Sequence, residues 1–222
     1  MRNKRALSGV FFNAIFFSFF ILSLYWKVGD FPDLTQIAKD QGIQKAQEEY
    51  QTYVANIRGL AFMLSNQLSI SASMNAVLQV PMQAPVMRRE LANKMYSPSA
   101  YYLGRFTSNL ILQFLYPVIM ILAVFWCIDI STDIENFIYM MSFGLLGNFV
   151  FCGQGFFWGI AVTDEDRVKL VNQFNVIIFI MCNGALTNLT TANWLISFLS
   201  KVSPGRFNCE GFFRALTKQI QG

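Results

Sequence analysis

Four cysteines, at 127, 152, 182 and 209, are the soft metal ligands of this 222-residue chain, and it contains no histidine. Three of the four lie in apolar runs, and none pairs at metal-ligand spacing. Without His there is no His-ligated haem or zinc, no Ser-His-Asp nucleophile and no His proton relay. No GxxxxGK[ST] occurs, so the chain carries no P-loop of its own. The expectation is a chain that is not an enzyme: no catalytic motif, no metal and no cofactor, with any ATP and Mg2+ chemistry on a partner. Two groups of polar residues remain. One is the run SNQLSISASMN, with Ser65, Asn66, Gln67, Ser69, Ser71, Ser73 and Asn75. The other is RRELANKMYSPSAYYLGRF, residues 88–106, which holds Arg88, Arg89, Glu90, Lys94, Arg105 and three tyrosines.

The elements that position them follow from composition. The chain is 54% hydrophobic and 14% charged, against about 25% charged in soluble domains. The 23 Phe suit lipid-facing helices, and no Arg/Lys stripe suggests nucleic acid. A bilayer core takes about 20 apolar residues in a helix. Charge-free windows run from Ala6 to Trp26, Gly59 to Met87, Phe106 to Ile128, Asn136 to Thr163 and Leu170 to Ser200. Backbone polar groups in lipid must be satisfied internally, and no alternating barrel pattern is visible. The fold class is therefore an all-α membrane protein, a polytopic helical bundle. Spans are predicted over 6–26, 58–80, 106–128, 136–163 and 170–183. The loop between the second and third spans covers 81–105, and a re-entrant segment covers 184–202.

The first window reads as a signal anchor, because no small-x-small cleavage site follows it. Arg2, Lys4 and Arg5 against the first span, and no cation in the 129–135 loop, place the N-terminus and the 81–105 loop inside. Within 27–57, Ile43, Ala46, Tyr50 and Tyr53 recur at helical spacing, which predicts a helix running into the second span. The fifth window is too long for one helix. Gly184 offers a permissive backbone, and Thr187, Asn188, Thr190 and Thr191 favour a turn. The helix should end near Asn183 and re-enter from about Ala192 to Val202 without crossing. Asn188 heads a glycosylation sequon, which its closeness to the membrane should leave unmodified.

No Asp, Glu, Lys or Arg lies inside any window. Ion-driven carriers keep such a residue at depth, so an ion-coupled carrier is disfavoured. A transporter powered from elsewhere is not. The amides of the second window, with Asn172, Gln173 and Asn175 of the fifth, have two readings: helix–helix hydrogen bonding, or a cavity wet enough for amides. The 81–105 loop also has two readings, a docking arm or a basic loop that sets topology.

Three stretches tip that balance. Arg89-Glu90, Met95-Tyr96-Ser97 and Ser99 to Gly104 resemble the first intracellular loop of the G subfamily (White-type) of ATP-binding-cassette exporters, whose membrane half is an ABC-2 type domain. Asn56 to Gln67 is similar to the start of that family's second span. Asn183 to Phe212 is similar to its re-entrant turn and the segment after it. The resemblance implies that 81–105 is a coupling loop, with Arg88, Arg89, Glu90 and Tyr96 against a nucleotide-binding domain. It implies a substrate cavity at a two-fold axis, faced by Gln67 and Ile70 from the second span and by Gln173, Ile177 and Ile180 from the fifth, with Leu186 in a hydrophobic plug above. Ile70 stands where the family often has an aromatic ring, which argues against flat polycyclic substrates.

Relatives of this kind have six spans and a nucleotide-binding domain, and the sequence shows neither a sixth span nor that domain. It is expected to be a fragment or a reduced relative. Two functions follow. One is the membrane domain of an ATP-driven exporter of lipids or amphiphilic small molecules, working with a nucleotide-binding domain and a second membrane domain. The other is a non-transporting accessory subunit of a larger membrane complex. The host membrane is the plasma membrane or an organelle membrane, the mitochondrial inner membrane suiting the accessory role.

Overall fold

The computed structural model describes residues 2–26, 28, 37, 39, 42–128, 134–162, 164–185 and 193–217, with side chains for all of these except 2–7, 105–106 and 109–112. Eight α-helices and no strand occur among the described residues. They are α1 (Arg2–Leu24), α2 (Ile43–Val77), α3 (Ala84–Ala92), α4 (Pro98–Ile128), α5 (Ile134–Ala161), α6 (Glu165–Met181), α7 (Trp194–Val202) and α8 (Pro204–Thr217), with a 3-10 turn over Pro81–Gln83.

The helix α2 is longer than the apolar pattern alone requires. Its 35 residues contain no proline, so nothing interrupts it before the Pro81 turn, and it extends about 52 Å at 1.5 Å per residue. That exceeds a hydrocarbon core of about 30 Å, so the 43–57 part is the same helix as the apolar part, and its Tyr53 and Ile57 still pack into the core. The helical reading of 43–53 and the second predicted span are thus one element, which stops at Val77 rather than at 80.

The helices α2 and α5 run parallel. Gly155 sits against the Ser73 carbonyl and Gly159 against the Val77 carbonyl, and an added Cβ would lie 2.5 and 2.7 Å from those oxygens. Only glycine lets the two backbones meet this closely. In a bilayer, where apolar burial gives helices no net drive to associate, such contacts are a main source of packing energy. The helix α4 runs the opposite way, with Gln113 beside Ala72 and Tyr116 beside Gln67. It shares a core with α1, α2, α5 and α8 that includes Ile21, Ile57, Leu64, Met120, Val124 and Phe212. The bundle therefore has two ends. The loop end holds the C-terminus of α2 and the start of α4; the far end holds Tyr25, Ile128 and the start of α5.

The predicted third span merges with the loop before it, because α4 starts at Pro98. Within the predicted 81–105 loop, a single 3-10 turn and α3 precede the start of α4. By length and apolarity, α5 alone among the described helices qualifies as a membrane span, while Ser8–Leu24 and Gln113–Ile128 are apolar but shorter. Hydroxyls and amides dilute α2, and charges at its start shorten the apolar part of α6.

The end of α7 lies against the end of α6. Ser203, fully buried, donates through Oγ to the Phe179 carbonyl at 3.3 Å. The end of α7 has thus returned to the level of the last turn of α6. From there α8 runs back along α5 and α2 toward the far end: Asn208 lies on Gly147, Phe212 beside Gly144, and the Phe213 ring 5.8 Å from the Arg58 guanidinium. The expected turn residues, including Leu186 and Asn188, lie outside the described residues.

Candidate functional site

The stripe Met63, Asn66, Gln67, Ile70 and Met74 follows helical spacing on α2 and is left open by its neighbours. Met63 and Ile70 are each 37% exposed, and Asn66, Gln67 and Met74 are half-buried. One side of the stripe touches α4, where Gln67 Nε2 donates to Tyr116 Oη at 3.0 Å. The other side touches α6, where Asn172 Nδ2 donates to Met74 Sδ at 3.7 Å and Ser73 Oγ to Asn172 Oδ1 at 2.7 Å. Gln173 and Ile177 are exposed on α6, and Ile180 is half-buried. Leu170, Phe174, Ile178 and Met181 widen this apolar face. Gln67 and Ile70 thus share one open face of α2, and Gln173, Ile177 and Ile180 share one side of α6. Within one copy, Asn172 and Ser73 join the two helices, and among the described residues no hydrogen bond joins the predicted cavity residues of one helix to those of the other. Leu186 lies outside the described residues.

The amides divide between both readings offered by the sequence. Asn172 is fully buried and bonded, and Gln154 Nε2 donates to Asn175 Oδ1 between α5 and α6. These are packing bonds. Gln173 and Asn75 are exposed.

A further relay was not read from the sequence. Pro117, inside α4, has no N–H to give to the carbonyl of Gln113 one turn earlier. Asn148 of α5, fully buried, supplies the missing donor through Nδ2 at 2.8 Å. The Gln113 side chain in turn donates to the Ala72 carbonyl at 3.3 Å. A proline in an apolar window implies an orphaned carbonyl, and that was the available signal for Gln113 and Asn148. Gly155-x-x-x-Gly159 was the signal for the α2–α5 contact.

At the loop end, Arg88 and Arg89 are exposed on α3. The helix closes with the Schellman pattern: Met95 N donates to Glu90 O at 3.2 Å, Lys94 N to Leu91 O at 3.0 Å, and Lys94 takes φ 53°. Glu90 does not present its carboxylate outward beside the arginines. Tyr96 Oη donates to Glu90 Oε2, and that bond first, with the carboxylate charge, pushes the Tyr96 phenol up to about 12. Tyr96 stacks on Tyr101, with centroids 5.7 Å apart and planes at 10°. The surface offered by α3 is therefore basic, flanked by exposed Met82, Val86 and Met95.

The chemistry the arrangement offers is hydrogen bonding, apolar contact and positive charge. Among the described residues no group of three or more His, Cys, Asp or Glu could hold a metal ion. The profile of the ABC-2 type transporter family matches residues 1–216. ABC transporter G family member 25 of Arabidopsis thaliana is 25% identical over 130 residues, 59% of this chain and 20% of that protein. G family member 21 from the same plant is 22% identical over 126 residues, 57% of this chain and 19% of that one. The chain spans about a fifth of the length of these curated relatives.

Proposed function

Because the chain belongs to the ABC-2 type transporter family, we propose that it is the membrane domain of an ATP-driven exporter of lipids or amphiphilic small molecules, coupled to a separate nucleotide-binding domain. The observation that carries the reading is the open face of α2 and α6. It mixes Met63, Ile70, Phe174 and Ile177 with the amides of Gln67 and Gln173, a lining suited to a molecule with one polar and one apolar end. A second copy facing it across a two-fold axis would close that face into a cavity. No ionisable side chain shares the face, so the energy comes from outside the membrane. ATP and Mg2+ sit on the partner, and this chain supplies no catalytic group.

In this reading Arg88 and Arg89 meet the nucleotide-binding domain, on the cytosolic side. Glu90 and Tyr96 belong to the loop by holding its shape. The test is Glu90→Lys in vesicles containing this chain and its ATPase partner. A lysine leaves Tyr96 without its acceptor and adds a third cation beside Arg88 and Arg89, so ATP should still be hydrolysed while transport per ATP falls. An unchanged transport-to-hydrolysis ratio would count against the coupling role and favour an accessory subunit that keeps the exporter fold.

A further inference from the structure

The helix α3 is anchored at both ends from the same side. Gln83, its N-cap, accepts through Oε1 from Tyr101 Oη at 3.0 Å. Glu90, in its last turns, accepts from Tyr96 Oη. The two tyrosines stack on each other, and Tyr102 meets the Tyr101 ring edge-on at 5.6 Å. Tyr101 lies in the first turn of α4, where Ser97 Oγ accepts from the Ala100 N–H at 3.4 Å. The backbone between α3 and α4 is itself closed by the bonds of the Lys94 turn. From α3 forward to α4, then, a short hydrogen-bonded turn is reinforced by two phenols. Backward to α2 the connection from the Gln83 cap runs through residues 78–82, a turn and most of one 3-10 segment. Pro81 gives no N–H there, and 3-10 geometry bonds more weakly than α.

We infer that Tyr96 and Tyr101 form a brace that locks α3 and its Gln83 cap onto α4, so that a push on the Arg88–Arg89 face enters α4 while residues 78–82 yield as the joint to α2. Only the source of the push rests on the exporter reading; the brace itself does not. The push has a route to the open stripe. It travels along α4 to Tyr116, which holds Gln67, and to Gln113, which holds the α2 backbone at Ala72. Tyr96 and Tyr101 are positioning residues, and both hydroxyls are spent inside the loop rather than on a partner.

The experiment places spin labels at positions 89 and 126 in the full chain with Cys127→Ser. The second site lies about 42 Å along α4 from Pro98 at 1.5 Å per residue. A control pair at 52 and 126 stays within the far end. Pulsed electron–electron resonance should give a narrow 89–126 distance distribution in the parent. Tyr96→Phe with Tyr101→Phe keeps both rings and removes both hydroxyls. It should broaden the 89–126 distribution and leave 52–126 unchanged. A distribution unchanged at 89–126, or broadened equally for both pairs, overturns the brace. In vesicles with the ATPase partner, the double variant should still bind that partner and lose roughly three- to tenfold in transport per ATP, the scale of one or two hydrogen bonds. If no ATPase associates with the parent chain, the exporter reading fails while the spin-label result still decides the brace.

Discussion

Replacing Asn148 with leucine should destabilise the bundle, and replacing Pro117 with alanine in the same chain should restore much of the loss. The Gln113 carbonyl is the reason. Its partner in an uninterrupted helix would be the N–H of residue 117, which proline lacks. Asn148 Nδ2 stands in at 2.8 Å from a fully buried position. Leucine removes the donor and leaves a buried carbonyl unpaired, which costs about 1–3 kcal/mol. Hydrogen bonds between membrane helices measure nearer 0.6–1.7 kcal/mol, and the lower half of the first range is the better guide. Asn148 Oδ1 has no partner, so leucine also removes an unsatisfied acceptor, and the net single-variant loss should be about 1 kcal/mol. In the Pro117→Ala chain the restored backbone N–H reaches the Gln113 carbonyl, and Asn148→Leu should then cost close to nothing. The double-mutant cycle should show a coupling energy of about 1 kcal/mol, above the roughly 0.3–0.5 kcal/mol scatter of independent sites. Reversible unfolding in mild detergent of the parent, both single variants and the double variant measures it. Additive losses would refute the argument, because they would mean that Asn148 and Pro117 do not serve the same carbonyl.

Gly155→Ala and Gly159→Ala should each lower stability by about 1–3 kcal/mol through overpacking against the α2 carbonyls. Gly153→Ala, whose Cβ meets nothing within 4 Å, should be neutral or gain up to about 1 kcal/mol of helix propensity; equal losses at all three positions in the same unfolding assay would contradict the close α2–α5 contact. Lys94→Gly should relieve a left-handed backbone and stabilise the loop by roughly 1 kcal/mol, seen as slower amide exchange at residues 94 and 95; faster exchange would show that the lysine side chain outweighs the strain. The Tyr96 phenol is raised from 10 to about 12, so its contribution to loop stability is fully present below pH 10 and disappears as pH rises through 12. The ultraviolet difference spectrum between the parent and Tyr96→Phe should titrate there, and a midpoint near 10 would mean that the Glu90 bond is absent in solution. A cysteine in place of Trp194 and a tag placed after Thr217 should react from the same side of the membrane, as a re-entrant 184–202 segment that does not cross requires; opposite sidedness would require α7 or α8 to cross.

The helices were legible where the chain obeys one rule at a time. Apolar, charge-free windows located α1, α4 and α5, and the 43–53 periodicity located the start of α2. The limits blurred where a local rule outran the apolar pattern. With no proline between 43 and 77, α2 stayed continuous past its apolar part, and Pro98 with the Ser97 cap started α4 inside what reads as loop. The amides of 65–75 and 172–175 were legible as polar residues in greasy helices. Which of them pack and which stay open was not, because it depends on helix rotation: one step of about 100° buries Asn172 and exposes Gln173. Glu90 read as a charge offered to a partner because sequence cannot show that Tyr96, six positions on, turns back to it. Gln113 and Asn148 hid as single amides in two separate windows and gain meaning only through Pro117.

The most direct test of the central claim asks what lies against α3. A photoactivatable amino acid at Arg88, exposed on that helix, can be crosslinked in native membranes and the adduct sequenced by mass spectrometry. The exporter account predicts a crosslink to a polypeptide carrying GxxxxGK[ST], the phosphate-binding loop absent from this chain. A crosslink solely to a protein without that loop, or to lipid alone, would contradict it.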